Sequence, residues 1–208
     1  MIYVENILIC IVIPLIIASF FVKGNVRSFS ASFVIGMLVC LVSAYISGTI
    51  DVIGGIGSEQ TSIYISPMIE ELMKLLPMIF FLYIMEMNDE QLILCAVSTG
   101  AGFATFENCV CLLTGDTYTF SFVLVRGLAV GVMHIVCMAA LTFGLIMARK
   151  LKVLSIPSIV GAFSLSVTFH AIYNLLVSKP GITSYIGFAL PVMTAVILYI
   201  SFHKLIEE

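Results

Sequence analysis

The chain has 208 residues, 61% of them hydrophobic and only 10% charged, with a formal net charge of −3 and a mean hydropathy of +1.19. Soluble domains run at about 45–50% apolar and 25% charged residues, so a water-soluble enzyme is excluded, and the absence of a basic footprint excludes a nucleic-acid binder. At about 20 apolar residues per bilayer crossing, the length accommodates about seven spans as one integral-membrane domain over residues 1–208.

Long apolar runs predict an all-α polytopic transmembrane bundle with helices over residues 3–22, 29–50, 63–86, 91–114, 119–148, 154–177 and 183–202. Turn-forming or charged segments separate them, among them Lys23-Gly24-Asn25, Met87-Asn88-Asp89-Glu90, Gly115-Asp116 and Lys179-Pro180-Gly181. The first run reads as a retained helix rather than a signal peptide, because no basic residue precedes it and Lys23 follows it. With the N-terminus outside, Lys23, Arg27, Arg149, Lys150, Lys152 and Lys204 fall on the cytoplasmic side and only Lys179 outside. That asymmetry is what the positive-inside rule asks of a multi-pass protein of the cell membrane. Tyr3, Tyr45, Tyr64, Tyr83, Tyr118, Tyr173, Tyr185 and Tyr199 all fall near predicted span ends, where amphipathic rings anchor. Cys10, Cys40, Cys95, Cys109, Cys111 and Cys137 lie inside apolar runs and are expected to be buried thiols rather than a disulfide framework.

The informative residues are the polar ones inside the apolar runs: Glu70, Glu71 and Lys74 in the third, Glu107 in the fourth, Arg126 and His134 in the fifth, His170 and Asn174 in the sixth. Each costs several kcal/mol in hydrocarbon and so belongs in a protein interior or a watered cavity. Glu70 and Glu71 come about seven residues after the outer end of their span, Glu107 and His170 about seven before theirs; at a rise of 1.5 Å per residue all lie about 10 Å below the outer surface. His134, about 15 residues into its span, is expected deeper. Glu70 with Lys74, Phe103 with Glu107, and His170 with Asn174 are i,i+4 pairs, so each helix presents a polar stripe. Gly100 and Gly102 allow a neighbouring helix to come close. Such a set also suits a proton- or cation-coupled transporter or channel. A relay should cross the membrane, whereas this set clusters at one depth, with nothing titratable in the inner halves before Glu86 and Arg149.

Glu70-Glu71-Leu72-Met73-Lys74 reads as EExxK and Phe106-Glu107-Asn108 as FEN on the next helix; an isolated His134 follows, then His170-Ala171-Ile172-Tyr173-Asn174 as HxxxN. Over residues 63–177, a four-helix catalytic core, this order resembles the PrsW family of intramembrane proteases, relatives of the CAAX-prenyl endopeptidases and of bacteriocin-processing proteins. Glu107 stands where CAAX enzymes carry a histidine, and Cys111 where PrsW-like sequences often have a tyrosine. The resemblance implies an endopeptidase within the lipid bilayer that cuts a single-pass membrane protein, such as an anti-sigma factor or a peptide precursor, near the outer face.

Amide hydrolysis needs an activated water, a proton donor for the leaving nitrogen and donors for the oxyanion. Glu70 is the candidate general base. Glu71, about 100° round the helix, supports the site or pairs with Arg126. Glu107 would hold the same water, by analogy with the CAAX histidine, and the HxxxN motif implies that His170 and Asn174 bind the oxyanion. His134 is a proton shuttle or a ligand, with Lys74 and Arg126 in support. Glu107, His134 and His170 also make a zinc-hydrolase ligand set with an open fourth position. An HExxH motif is absent, so the expectation is a glutamate mechanism without a cofactor, with zinc as the alternative.

Overall fold

Where no water is available, a backbone must satisfy its own hydrogen bonds, and an α-helix does so within one segment. The computed structural model describes residues 4–19, 23–114 and 119–207, and every regular element among them is helical. Seven main helices follow in order: α1 (Val4–Ser19), α2 (Gly24–Gly54), α3 (Ser66–Tyr83), α4 (Asp89–Thr114), α5 (Phe120–Lys150), α6 (Ser155–Val177) and α7 (Ile182–Glu207). A single turn, Ser58–Gln60, and a π-helical turn, Thr61–Ile65, lead into α3. Tyr3, Tyr118 and the Gly115-Asp116 break lie outside the described residues, as do the side chains of Cys10 and Lys204. The cysteines that are described, Cys40, Cys95, Cys109, Cys111 and Cys137, are all free thiols.

Among the described residues, five helices are long and apolar enough to cross a membrane: α2, α4, α5, α6 with its leading turn, and α7. Only 11% of the apolar window of α6 and of α7 is buried within the protein, so their large side chains, such as Leu165, Ile186 and Val196, face outward as lipid contacts. The chain is a multi-pass membrane protein. α1 has only 16 residues, and the 18 residues of α3 include Glu70, Glu71 and Lys74.

α3 tolerates those charges because its two faces differ. Pro67, Glu71, Lys74, Met78 and Phe81 are buried at helical spacing, whereas Met68, Leu72, Leu76 and Phe80 are exposed on the other side. A helix at the bundle edge can thus turn a charged stripe inward and an apolar stripe to lipid. Pro67 sits in the first turn of α3, directly after the π-helical turn.

Small residues set how closely the other helices approach. A Cβ on Gly36 of α2 would stand 2.1 Å from the Thr99 carbonyl oxygen of α4, and one on Gly102 of α4 would stand 2.0 Å from that of Phe33. Gly100 faces the His134 backbone carbonyl, 3.1 Å from where its Cβ would be. The glycines therefore clamp α4 between α2 and α5, as the sequence suggests, and bring His134 to the level of Glu107. Ser166 Oγ donates to the Cys137 carbonyl at 3.1 Å and fixes α6 against α5.

The two ends of the bundle are tied differently. At one end Arg149 donates to the Met87 carbonyl at 2.6 Å and pairs with Asp89, which also receives Lys150 at 2.8 Å. At the opposite end Asp51 Oδ1 accepts from Gly57 N at 2.8 Å and from Thr61 Oγ1 at 3.0 Å, anchoring the turn before the π segment. Tyr45, Tyr64, Tyr83, Tyr185 and Tyr199 are exposed, as interface anchors require, but Tyr173 is only 2% exposed. That residue is a core side chain, because its position on α6 faces α5 rather than lipid.

Gly102→Ala should separate α2 from α4 and lower stability by about 1–3 kcal/mol, the usual cost of overpacking. Gly127→Ala and Gly131→Ala, where an added Cβ meets nothing within 4 Å, should be neutral or raise stability by about 0.5–1 kcal/mol. Thermal unfolding of the three variants in one detergent checks both directions.

Candidate active site

The inward stripe of α3 meets α4, α5 and α6 at one level, and the polar side chains of four helices form a single network there. Lys74 is its centre. Its Nζ donates to Glu71 Oε1 at 2.7 Å and to His134 Nδ1 at 2.7 Å, and it lies 4.2 Å from the centre of the Phe103 ring. Glu71, Lys74 and His134 are fully buried. An ammonium can only donate, so His134 Nδ1 accepts and the ring proton sits on Nε2, which donates to Glu107 Oε2 at 2.5 Å. Arg126 donates to the other oxygen of Glu107 at 3.1 Å.

His170 is fixed by the same reasoning. Its Nδ1 lies 2.8 Å from Glu71 Oε1; a carboxylate only accepts, so Nδ1 carries the proton. Nε2 is left with a lone pair, 3.8 Å from Glu70 Oε2. The rings of His134 and His170 stand edge to face, 5.1 Å apart. Glu70 Oε2 is buried without a hydrogen-bond partner. Glu71 Oε2 also lacks a partner, but that carboxylate's charge is already met through Oε1.

Seven of the eight residues singled out by sequence come together: Glu70, Glu71, Lys74, Glu107, Arg126, His134 and His170. Asn174 does not join them, because its Nδ2 donates to the Ser62 carbonyl in the π-helical turn at 2.9 Å. One pairing differs from expectation: Lys74 bonds Glu71 at i,i+3 rather than Glu70 at i,i+4. Arg126 pairs with Glu107, so of the two roles expected of Glu71 it takes the support of the site through Lys74 and His170. Glu71 is thus more central than its offset on the helix suggests, because α3 is enclosed on that side by both α5 and α6. His134 is not deeper than the rest: the 31 residues of α5 carry it past α4 at the level of Glu107. Sequence reasoning placed Tyr173 among the interface anchors; its hydroxyl is in fact buried without a partner, and only its place inside HxxxN hinted at that.

The ligand atoms that converge are those of Glu70, His134 and His170, all within 4.8 Å of one another, whereas Glu107 is engaged by Arg126 and His134. Two histidines and a carboxylate with an open position are a zinc-hydrolase donor set. Glu71 holding His170 by Nδ1 so that Nε2 is free is the carboxylate–histidine support that metal ligands use. The residues fit a metal, on one condition: both nitrogens of His134 are engaged, so it would ligate only by giving up Lys74 or Glu107.

A multi-pass helical bundle that gathers three carboxylates, two imidazoles and two cations at one level, beside an apolar core that includes Leu75, Met78, Met138 and Leu141, has the make-up of a membrane-embedded hydrolase. The sequence model of the PrsW family intramembrane metalloproteases matches residues 25–201, and the chain belongs to that family. It is an intramembrane protease acting on membrane proteins in the lipid bilayer. No curated protein and no solved structure matches the chain.

The network separates two kinds of ion pair. Arg126 and Glu107 keep 19% and 31% of their side chains exposed, and Glu107 retains the bond from His134, so Arg126→Gln should cost less than the loss of Lys74. Lys74→Met leaves Glu71 buried without its cation and should cost about 3–5 kcal/mol. Thermal unfolding of the two variants side by side measures the difference.

Proposed function

We propose that the chain hydrolyses a peptide bond of a single-pass membrane protein close to its extracytoplasmic boundary, with Glu70 taking the proton from the attacking water. The observation that carries this reading is the buried, unpartnered Oε2 of Glu70 facing the free lone pair of His170 Nε2 at 3.8 Å. A water between them can donate to both. As it attacks the carbonyl carbon, its proton passes to Glu70, which then delivers it to the leaving nitrogen. Glu71 holds His170 and Lys74 in register, and Glu107 holds His134. Asn174, one turn beyond His170, becomes a donor to the oxyanion once it releases Ser62. His170 itself donates there only when Nε2 is protonated. Lys74 and Arg126 balance the carboxylates.

Glu70, His134 and His170 are the residues that would hold a zinc ion, in place of the set Glu107, His134 and His170 expected from sequence. Bound there, zinc would polarise the substrate carbonyl and activate water. The metalloprotease name of the family and the convergent donor atoms support that cofactor as the alternative reading, in which Glu70 is a ligand and not the base.

The distribution of lysine and arginine supports seven spans in the cell membrane with the N-terminus outside, which puts the Arg149–Asp89 end in the cytoplasm and the Asn174–Ser62 end outside. The site then lies about 10 Å below the outer surface, and the substrate helix has to enter laterally or unwind. An anti-sigma factor or a secreted peptide precursor would meet that description.

Glu70→Gln keeps size and packing, so it should stay folded while cleavage falls by about 10²–10⁴-fold; normal cleavage by this variant removes Glu70 as the base. Membrane-protein fragments compared with and without the active chain should end near the outer boundary, and cuts confined to cytoplasmic domains would contradict the placement. On the zinc reading, purified protein should contain near-stoichiometric zinc that Glu70→Gln and His170→Ala reduce; metal-free protein with full activity removes that reading. Cysteines introduced at Ser58 and Leu151 should label from outside and inside respectively, and the opposite pattern overturns the topology.

A further inference from the structure

Tyr173 lies on α6 between His170 and Asn174, yet none of the chemistry above uses it. A buried phenol normally finds a hydrogen-bond partner, and leaving one without a partner costs stability. The hydroxyl of Tyr173 has none, which points to a group that arrives with the substrate. Tyr173 shares one buried cluster with Ala104 of α4 and with Ala129 and Val130 of α5. Glu107 follows Ala104 by one turn and Arg126 precedes Val130 by one turn, both toward the Asn174 end. Arg126 brings a second buried donor without a partner, its Nε.

A cleft of about 640 Å³ lies between the start of α5, the end of α6 and the start of α7. Val177 and Phe188 line it and also pack against the buried cluster that contains Tyr173, so the cleft and that cluster share a wall. Thr119, Ser121 and Ser184 make its lining partly polar.

We propose that Tyr173 is a substrate-binding residue: the cleft admits an unwound segment of the substrate, and the Tyr173 hydroxyl donates a hydrogen bond to a backbone carbonyl beside the scissile bond. The inference rests on the proteolytic reading and deepens it by naming the recognised chemistry, an extended peptide whose carbonyls have lost their helical partners. The Tyr173 hydroxyl makes no bond to Glu70 or His170, so its bond to the substrate forms on binding and persists through the reaction. Such uniform binding appears in KM and not in kcat.

The test uses the purified full chain in detergent micelles and a library of single-span peptides, randomised around a helix-breaking Gly-Pro pair and carrying a fluorophore and quencher. Tyr173→Phe keeps the ring and removes only the hydroxyl. The expected result is a KM raised about tenfold with kcat nearly unchanged, and a melting temperature no lower than that of the wild type, because no bond is lost in the free protein. An unchanged KM overturns the proposal, and so does a fall in melting temperature, which would reveal a structural bond. Full cleavage by Glu70→Gln in the same assay removes the base assignment while leaving the Tyr173 result standing. Failure of the wild type to cut any member of the library overturns both.

Discussion

A single ammonium group, Lys74 Nζ, is held in the middle of a membrane protein with no exposure to water, and the arrangement of four helices follows from how that charge is met. An unpaired charge in hydrocarbon is costly enough that it must find partners or leave. Lys74 finds a carboxylate on its own helix and an imidazole on α5. Each partner is then committed elsewhere: Glu71 to His170 on α6 and His134 to Glu107 on α4. One cation thereby fixes the tautomers of two histidines and the positions of two carboxylates.

The same logic explains what is left over. With Lys74, Arg126 and both histidine Nδ1 atoms engaged, Glu70 Oε2 and His170 Nε2 remain as a free acceptor pair in a buried position. Groups of that kind lower stability, and they are kept where a reaction needs them. Lys74 also stands in a particular relation to a metal. It occupies one nitrogen of His134, so a zinc ion held by Glu70, His134 and His170 would compete with a cation already built into the chain, or would take the nitrogen now given to Glu107.

How much of this could be seen in advance depended on the range of the interaction. The main helices followed from apolar runs, and the common level of Glu70, Glu107 and His170 followed from counting residues from span ends, because the rise per residue is fixed. That a neighbouring helix passes close to α4 was legible in Gly100 and Gly102, whereas the part of Gly36 was not. Nor was the pairing. Whether Lys74 turns to Glu70 or Glu71 depends on which neighbours enclose α3, and the length of α5 that brings His134 up to Glu107 depends on tilt and contact. Asn174 was misplaced for the same reason: its partner is a backbone carbonyl in a π-helical turn that no side-chain pattern announces. Tyr173 shared its span-end position with true interface anchors, and only packing against α5 distinguishes it.

The claim that one buried cation organises the site is tested most directly by a double-mutant cycle on Glu71 and Lys74, read by thermal unfolding of the full chain in detergent. If each charge is there to meet the other, Lys74→Met and Glu71→Gln should each cost about 3–5 kcal/mol, and the double variant should cost no more than either alone, because neither charge of the pair is then left without the other. Costs that add to within about 0.5 kcal/mol would mean that the two residues act independently, and would contradict the account.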